Sequence, residues 1–174
     1  VDMVRWWLGP VASVVGQALT VIPDRLDKKT GEPWTATADD LSYFTLQMQS
    51  GALAQIFMSG VAANNIGNVT QVFGSKGSII LDNDDEKLMF AKAGGSFEDI
   101  TASDPNAALP GLNKGIWNVS VVAALRELTA AISEGRKLRA GATFFDGLAN
   151  QRVLDAVKQS TSTRAWVDLP AERT

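Results

Sequence analysis

LSYFTLQMQSGALAQIFMSGVA, running from Leu41 to Ala62, is the stretch that sets the fold class. Phe44, Leu46 and Met48 alternate with Tyr43, Thr45 and Gln47, a period of two that puts one set on each face of a strand. Ser50-Gly51 interrupts the alternation, which resumes through Leu53 and Phe57, so the segment reads as two strands joined by a tight turn. Neither alternating set carries charge. A face of Tyr, Thr and Gln behind a face of Phe, Leu and Met suits contact with a partner or substrate, and a merely solvated face is the alternative.

Working outward, VASVVGQALTVI before Pro23 is β-branched and reads as a further strand. PDRLDKKTGEPWTATADD, between it and the hairpin, has the Pro, Gly and mixed charge of a surface loop. Downstream, NVTQVFGSKGSIILDNDDEKLMFAKAGG gives three short strands separated by GSKG and DNDDE, and FEDIT adds a possible fourth. The pattern then changes period. Val121, Ala124, Leu125, Leu128 and Ile132 share one helical face, opposite Arg126, Glu127, Ser133 and Glu134, with Asn118 as the expected N-cap and Gly135 as the C-cap. A second long helix is expected from about Thr143 to Thr161. Thr143 and Asp146 form its capping box, and Phe145, Ala149, Val153, Ala156 and Val157 its apolar side. RAWVDLP supplies a last strand. Strands followed by helices predict an α+β domain, a mostly antiparallel open-faced sheet with helices packed on one face.

The chain opens on VDMVRWWLGP, where Val1, Val4, Trp7 and Leu8 recur at helical spacing until Gly9-Pro10 stops the run. Val1 is not a start methionine and the helix is already under way, so a preceding segment is expected.

Composition narrows the chemistry. At 174 residues the chain can bury a core without staples. Its net charge of −3 lacks the basic footprint of a nucleic-acid module. No apolar run reaches a membrane span, and no leader is visible in the given sequence, although one could lie upstream. The expected location is the cytoplasm. There is no cysteine and no histidine, which removes thiolate chemistry, a Ser-His-Asp triad within the chain and the commonest metal ligands, so no metal site is expected. GSKG, from Gly74 to Gly77, lacks P-loop spacing and reads as a turn. Asp82–Glu86 lacks the glycine and closing glutamate of a calcium loop, and Asp39-Asp40 points its carboxylates apart at a strand start. Trp6 and Trp7 read as core or interface residues. Asp2, heading an apolar helical patch, reads on its own as a helix cap.

The order of motifs carries more than any one of them. D-x-x-R-W-x-L-G-P at Asp2–Pro10, TADDLSYFTLQMQSGALAQIFMS, VFGSKGSIIL at Val72–Leu81 and FFDGLANQRVLDAVKQSTSTRAWVDLP at Phe144–Pro170 follow one another along nearly the whole chain. Together they resemble the C-terminal domain of the Gfo/Idh/MocA family, the glucose–fructose oxidoreductases, inositol dehydrogenases and rhizopine catabolism proteins. Such a domain has the fold seen in the second domains of glyceraldehyde-3-phosphate dehydrogenase and dihydrodipicolinate reductase.

The resemblance implies that residues 1–174 are the substrate-binding and oligomerisation domain of a longer oxidoreductase. An N-terminal Rossmann domain, absent from this chain, would bind NAD or NADP and carry a lysine in a Glu-Lys-Pro motif. No cofactor-binding residue is expected here. Family members act on sugars, cyclitols and related polyols by hydride transfer, and they assemble as dimers or larger homo-oligomers through the open sheet face. Their catalytic pattern includes a His followed three residues later by an Asp; Asp2 matches that Asp, and the His would lie two positions before Val1. The resemblance also places substrate contacts at Asn64 and Asn65 and in the loop from Asn113 to Trp117, where ordinary loop residues are the alternative. Two other functions stay open: a non-catalytic oligomerisation or partner-binding module, and an NAD-dependent glycoside hydrolase of the same family. The isolated chain is expected to be inactive.

Overall fold

The computed structural model describes residues 1–64, 67–104, 106, 109–111 and 116–171, with the side chains of 116 and 117 set aside. Its contacts fall into two compact units, Val1–Ala63 with Ala142–Thr174, and Asn64–Gly141.

The first unit runs through α1 (Asp2–Leu8), β1 (Val11–Leu19), β2 (Asp24–Leu26), β3 (Pro33–Thr35), β4 (Leu41–Met48) and β5 (Leu53–Ser59). The second holds β6 (Val69–Gly74), β7 (Gly77–Asp82), β8 (Lys87–Lys92), β9 (Glu98–Asp99) and α2 (Ile116–Glu134). The chain then returns to the first unit with α3 (Phe144–Thr163) and β10 (Val167–Asp168). Among the described residues three antiparallel sheets result, ordered β10-β1-β4-β5, β2-β3 and β6-β7-β8-β9. The fold is α+β, with its strands divided among sheets where the sequence pattern read as one.

In the first unit the alternation of the hairpin becomes burial. Phe44, Leu46 and Met48 are buried on the face that α3 covers, and they join Val11, Val14, Val153, Ala156 and Val157 in one core. Val1, at the N-cap of α1, and Val4 and Leu8 within it pack against that core. Trp6 and Trp7 do not enter it; they are 80 % and 41 % exposed. Gly9, at φ 86°, turns the chain from α1 into β1, a backbone conformation that disfavours any residue with a Cβ. α3 starts at its capping box, but its buried positions begin at Ala149. Phe144 and Phe145 sit in the first turn, ahead of the covered part of the sheet, and are 99 % and 84 % exposed, which removes Phe145 from the apolar side.

The outer edge of β1 is completed in two ways. Val14 and Ser13 pair with β10, whereas the amides of Gly16 and Ala18 donate to Ser160 Oγ (3.0 Å) and Thr161 Oγ1 (2.9 Å) of α3. Side-chain hydroxyls thus take the place of a longer edge strand and satisfy donors that would otherwise be orphaned. Ser160, 1 % exposed, passes its own proton to the Ala165 carbonyl at 2.8 Å.

The stretch read as a surface loop, residues 23–40, instead forms the ribbon β2-β3. Local hydrogen bonds explain the difference. Asp27 Oδ1 accepts the amides of Lys29 and Thr30 and closes the turn. Asp40 anchors the base by accepting the amides of Val21 (2.7 Å) and Ile22 (3.1 Å) and a 2.6 Å ion pair from Arg25. Those bonds, led by the Val21 amide, hold the Asp40 carboxyl below its ordinary pKa. Asp40 therefore serves as a structural anchor.

In the second unit, GSKG is the tight turn between β6 and β7, with Gly74 paired to Gly77. Asp82 Oδ1 accepts the amides of Asp84 and Asp85, so the acidic run closes the next hairpin. α2 begins at Ile116, which places Asn118 inside the first turn rather than at the N-cap. Gly135, at φ 64°, ends the helix as expected. The stripe Val121, Leu125, Leu128 and Ile132 lies at helical spacing, and each member is exposed.

Glu127, on the polar side of α2, is fixed by Arg136 through Nη1–Oε1 (2.7 Å) and Nη2–Oε2 (3.1 Å) and by the Arg139 amide. The Arg136 guanidinium, with that amide, lowers the Glu127 pKa to about 2. A carboxyl depressed in this way stabilises the fold above its unfolded pKa of ~4.3 and loses that contribution as pH falls through the folded value. The NMR shift of the Arg139 amide is therefore expected to stay constant down to about pH 4 and to move below it. Movement centred on the ordinary glutamate pKa would show that the pair does not hold in solution.

Candidate functional site

Asp2 and Arg5 lie three residues apart on α1, and Asp146 and Asn150 lie four apart on α3, so each pair projects from one helix face. The four side chains meet. Asn150 Nδ2 donates to Asp2 Oδ1 at 2.9 Å, and Arg5 Nη1 lies 3.6 Å from the same oxygen. Arg5 Nη1 also donates to Asn150 Oδ1 (3.3 Å) and to the Asp146 carbonyl (3.5 Å), and lies 3.9 Å from Asp146 Oδ1.

Burial orders this cluster. The Arg5 side chain is 8 % exposed, that of Asp146 38 % and that of Asp2 53 %. A guanidinium that far from water needs carboxylates and carbonyls around it, and the N-terminal part of α3 supplies them. Asp146 is itself held by the Thr143 hydroxyl (2.7 Å) and amide (2.8 Å), which, with Arg5 adding, keep its carboxyl below the ordinary range. Asp2 is left at the open end of the cluster, half-exposed.

The other expected site residues belong to the second unit. Asn64 is described and exposed. Asn65 and Asn113 lie outside the described residues, and Trp117 is placed only as backbone in the first turn of α2. Arg5, Asp146 and Asn150 escaped the sequence reading of the site. The available signals were Arg5 three residues after Asp2 in a helix whose other residues are apolar, and an Asn150 wedged between the core positions Ala149 and Val153.

The uncovered face of the β1-β4-β5 sheet is the second feature. An open cavity of about 520 Å³ is lined by Gln17, Tyr43, Thr45, Gln55 and Phe57 of that face together with Ser160 and Arg164 at the end of α3. Tyr43 donates to Gln17 Oε1 at 2.9 Å, while Leu53 and Phe57 of β5 are 64 % and 70 % exposed. Among the described residues every strand pairing is antiparallel.

The described residues form an α+β fold of antiparallel sheets with an acidic residue anchored at its first helix. Residues 1–169 match the model of the C-terminal alpha/beta domain of the oxidoreductase family GFO_IDH_MocA, and the chain belongs to that family. An uncharacterised oxidoreductase of Synechocystis sp. is 24 % identical over 179 residues, covering 97 % of this chain and 47 % of the relative. An oxidoreductase domain protein from Kribbella flavida superposes with a TM-score of 0.82 at 28 % identity, over 98 % of this chain and 48 % of its own. Levoglucosan dehydrogenase, solved with NADH and L-sorbose, shares the fold at a TM-score of 0.80 and 23 % identity, over 97 % of this chain and 47 % of its own. The chain spans about half the length of the curated relatives it matches. No helix among the described residues is long and apolar enough to cross a membrane.

Proposed function

We propose that this chain is the substrate-side half of an NAD(P)-dependent oxidoreductase acting on a sugar, cyclitol or related polyol. The dinucleotide, which supplies the hydride acceptor when bound, is held by a Rossmann domain outside residues 1–174. The observation that carries this reading is Asp2: a carboxylate fixed by Asn150 yet 53 % exposed can accept a hydrogen bond from a hydroxyl or orient a neighbouring imidazole. Levoglucosan dehydrogenase, with NADH and a sugar bound to the same fold, supports the substrate class. Asn64, Asn65, Asn113 and Trp117 serve as substrate contacts in this reading. The open face bearing Tyr43, Leu53 and Phe57 joins two copies, and the domain works in the cytoplasm.

The test uses the product of the complete reading frame, assayed against sugars and polyols with NAD⁺ and NADP⁺. NAD(P)H formation with at least one polyol is expected, with none from the 174-residue chain alone. Light scattering of the same preparation is expected to exceed the mass of one copy. Glycoside cleavage without net NADH would instead mark a hydrolase, and nucleotide binding without any turnover would mark a non-catalytic module.

A further inference from the structure

Every side-chain hydrogen bond and ion pair of Asp2 among the described residues ends on one oxygen, Oδ1. Asn150 reaches it from α3 and Arg5 from the next turn of α1. The Asn150 amide has only one sensible orientation here: its NH₂ faces a carboxylate and its carbonyl faces a guanidinium, and a flipped amide would oppose acceptor to acceptor and donor to donor. Arg5 thus fixes Asn150, and both fix Asp2. The result is a half-exposed carboxylate with one oxygen held and no side-chain partner on the other among the described residues.

We propose that Asn150, backed by Arg5, is a positioning residue that anchors Asp2 Oδ1 and thereby presents Oδ2 to the substrate hydroxyl or its proton-transfer partner. This rests on the assignment of Asp2 above. A side chain free to rotate about χ1 and χ2 would spend most of its time misaligned, whereas one anchored oxygen leaves a single direction for the other. Arg5 has a second task. Its buried guanidinium ties α1 to the start of α3 through Asp146, so the helix carrying Asp2 cannot shift along α3.

The experiment compares Asn150→Leu, Asn150→Ser and Arg5→Lys in the full-length product. Asn150→Leu is expected to lower kcat on the order of 10-fold, the usual loss for an outer hydrogen-bond partner, with the KM for dinucleotide unchanged. Asn150→Ser keeps a donor and is expected to recover part of that loss, and Arg5→Lys, which keeps the charge without the fork, is expected to fall between. Combined with Asp2→Asn, Asn150→Leu is expected to add no further loss, because the two act through one carboxylate. A spectroscopic readout needs no turnover: the Asn150 side-chain NH₂ signal in ¹⁵N NMR is expected to shift in Asp2→Asn and in Arg5→Lys. Unchanged kcat in a folded Asn150→Leu, or an unmoved NH₂ signal in Asp2→Asn, would overturn the proposal. If the unaltered protein oxidises no polyol while the NH₂ signal moves, the anchoring stands and the assigned reaction falls.

Discussion

Asp2→Asn in the full-length protein is expected to lower kcat/KM for its polyol by about 100-fold or more, the scale of a lost acid–base or orienting group. The substitution is isosteric, and an asparagine carbonyl can still accept the Asn150 amide proton, so α1 stays in place. Arg5 keeps its contacts to Asn150 Oδ1 and to Asp146, which leaves the buried cation compensated. The thermal midpoint is therefore expected to move little, because an exposed carboxylate 3.6 Å from its guanidinium adds little stability. Activity and stability separate, and steady-state kinetics beside a melting curve read the two independently. A variant with wild-type kcat/KM would remove Asp2 from the reaction, whatever the family pattern implies.

Gly16→Ala is expected to have the opposite profile, with the fold itself damaged. A Cβ at Gly16 would lie 2.3 Å from Phe44 Cβ, 2.4 Å from the Tyr43 carbonyl and 2.5 Å from Phe44 Cα. Two of these three atoms are backbone, so no rotamer change relieves the clash. β1 and β4 would have to separate at the centre of their pairing, in register with Phe44. The Gly16 amide bond to Ser160 would be strained in the same movement. Overpacking of this kind costs about 3 kcal/mol or more. For a protein of this size that is a fall in melting temperature of roughly 6–12 °C. Gly147→Ala provides the contrast. It sits in an exposed turn of α3 where an added Cβ meets nothing within 4 Å. Relief of glycine's helix penalty there is expected to stabilise by about 0.5–1 kcal/mol. A Gly16→Ala protein as stable as the parent would show that β1 and β4 are further apart than described.

The two glycines illustrate where sequence reading stops. Both are small residues inside regular elements, and nothing local distinguishes them. Only the approach of Phe44 across the sheet makes one indispensable and the other replaceable. The same holds for charge. Glu127 and Asp155 both fall on the outward side of a helix pattern, yet Glu127 is gripped by Arg136, nine residues on, and its pKa is driven to about 2. Asp155 takes only an i,i+4 hydrogen bond from Gln151.

What the sequence determined by itself is local and periodic. Alternation over Leu41–Met48 dictated which side chains of that strand are buried, since the period of a strand is two and water selects the face, whereas the apolar Leu53 and Phe57 of the next strand stay exposed. Thr143 and Asp146 dictated where α3 starts, because a capping box is closed within four residues. Motif order along the chain was enough to identify the family. What only the tertiary structure decided depends on contacts between residues far apart in the chain. The strands were legible, but their division into separate sheets was not, because a strand pattern states which face is apolar and never which edge it pairs with. Asp2 could be picked out from a motif, whereas Asn150, which anchors it from α3, lies more than 140 residues away. No spacing rule reaches that far. The folding of α3 back onto α1 turns an acid that reads alone as a helix cap into a fixed carboxylate.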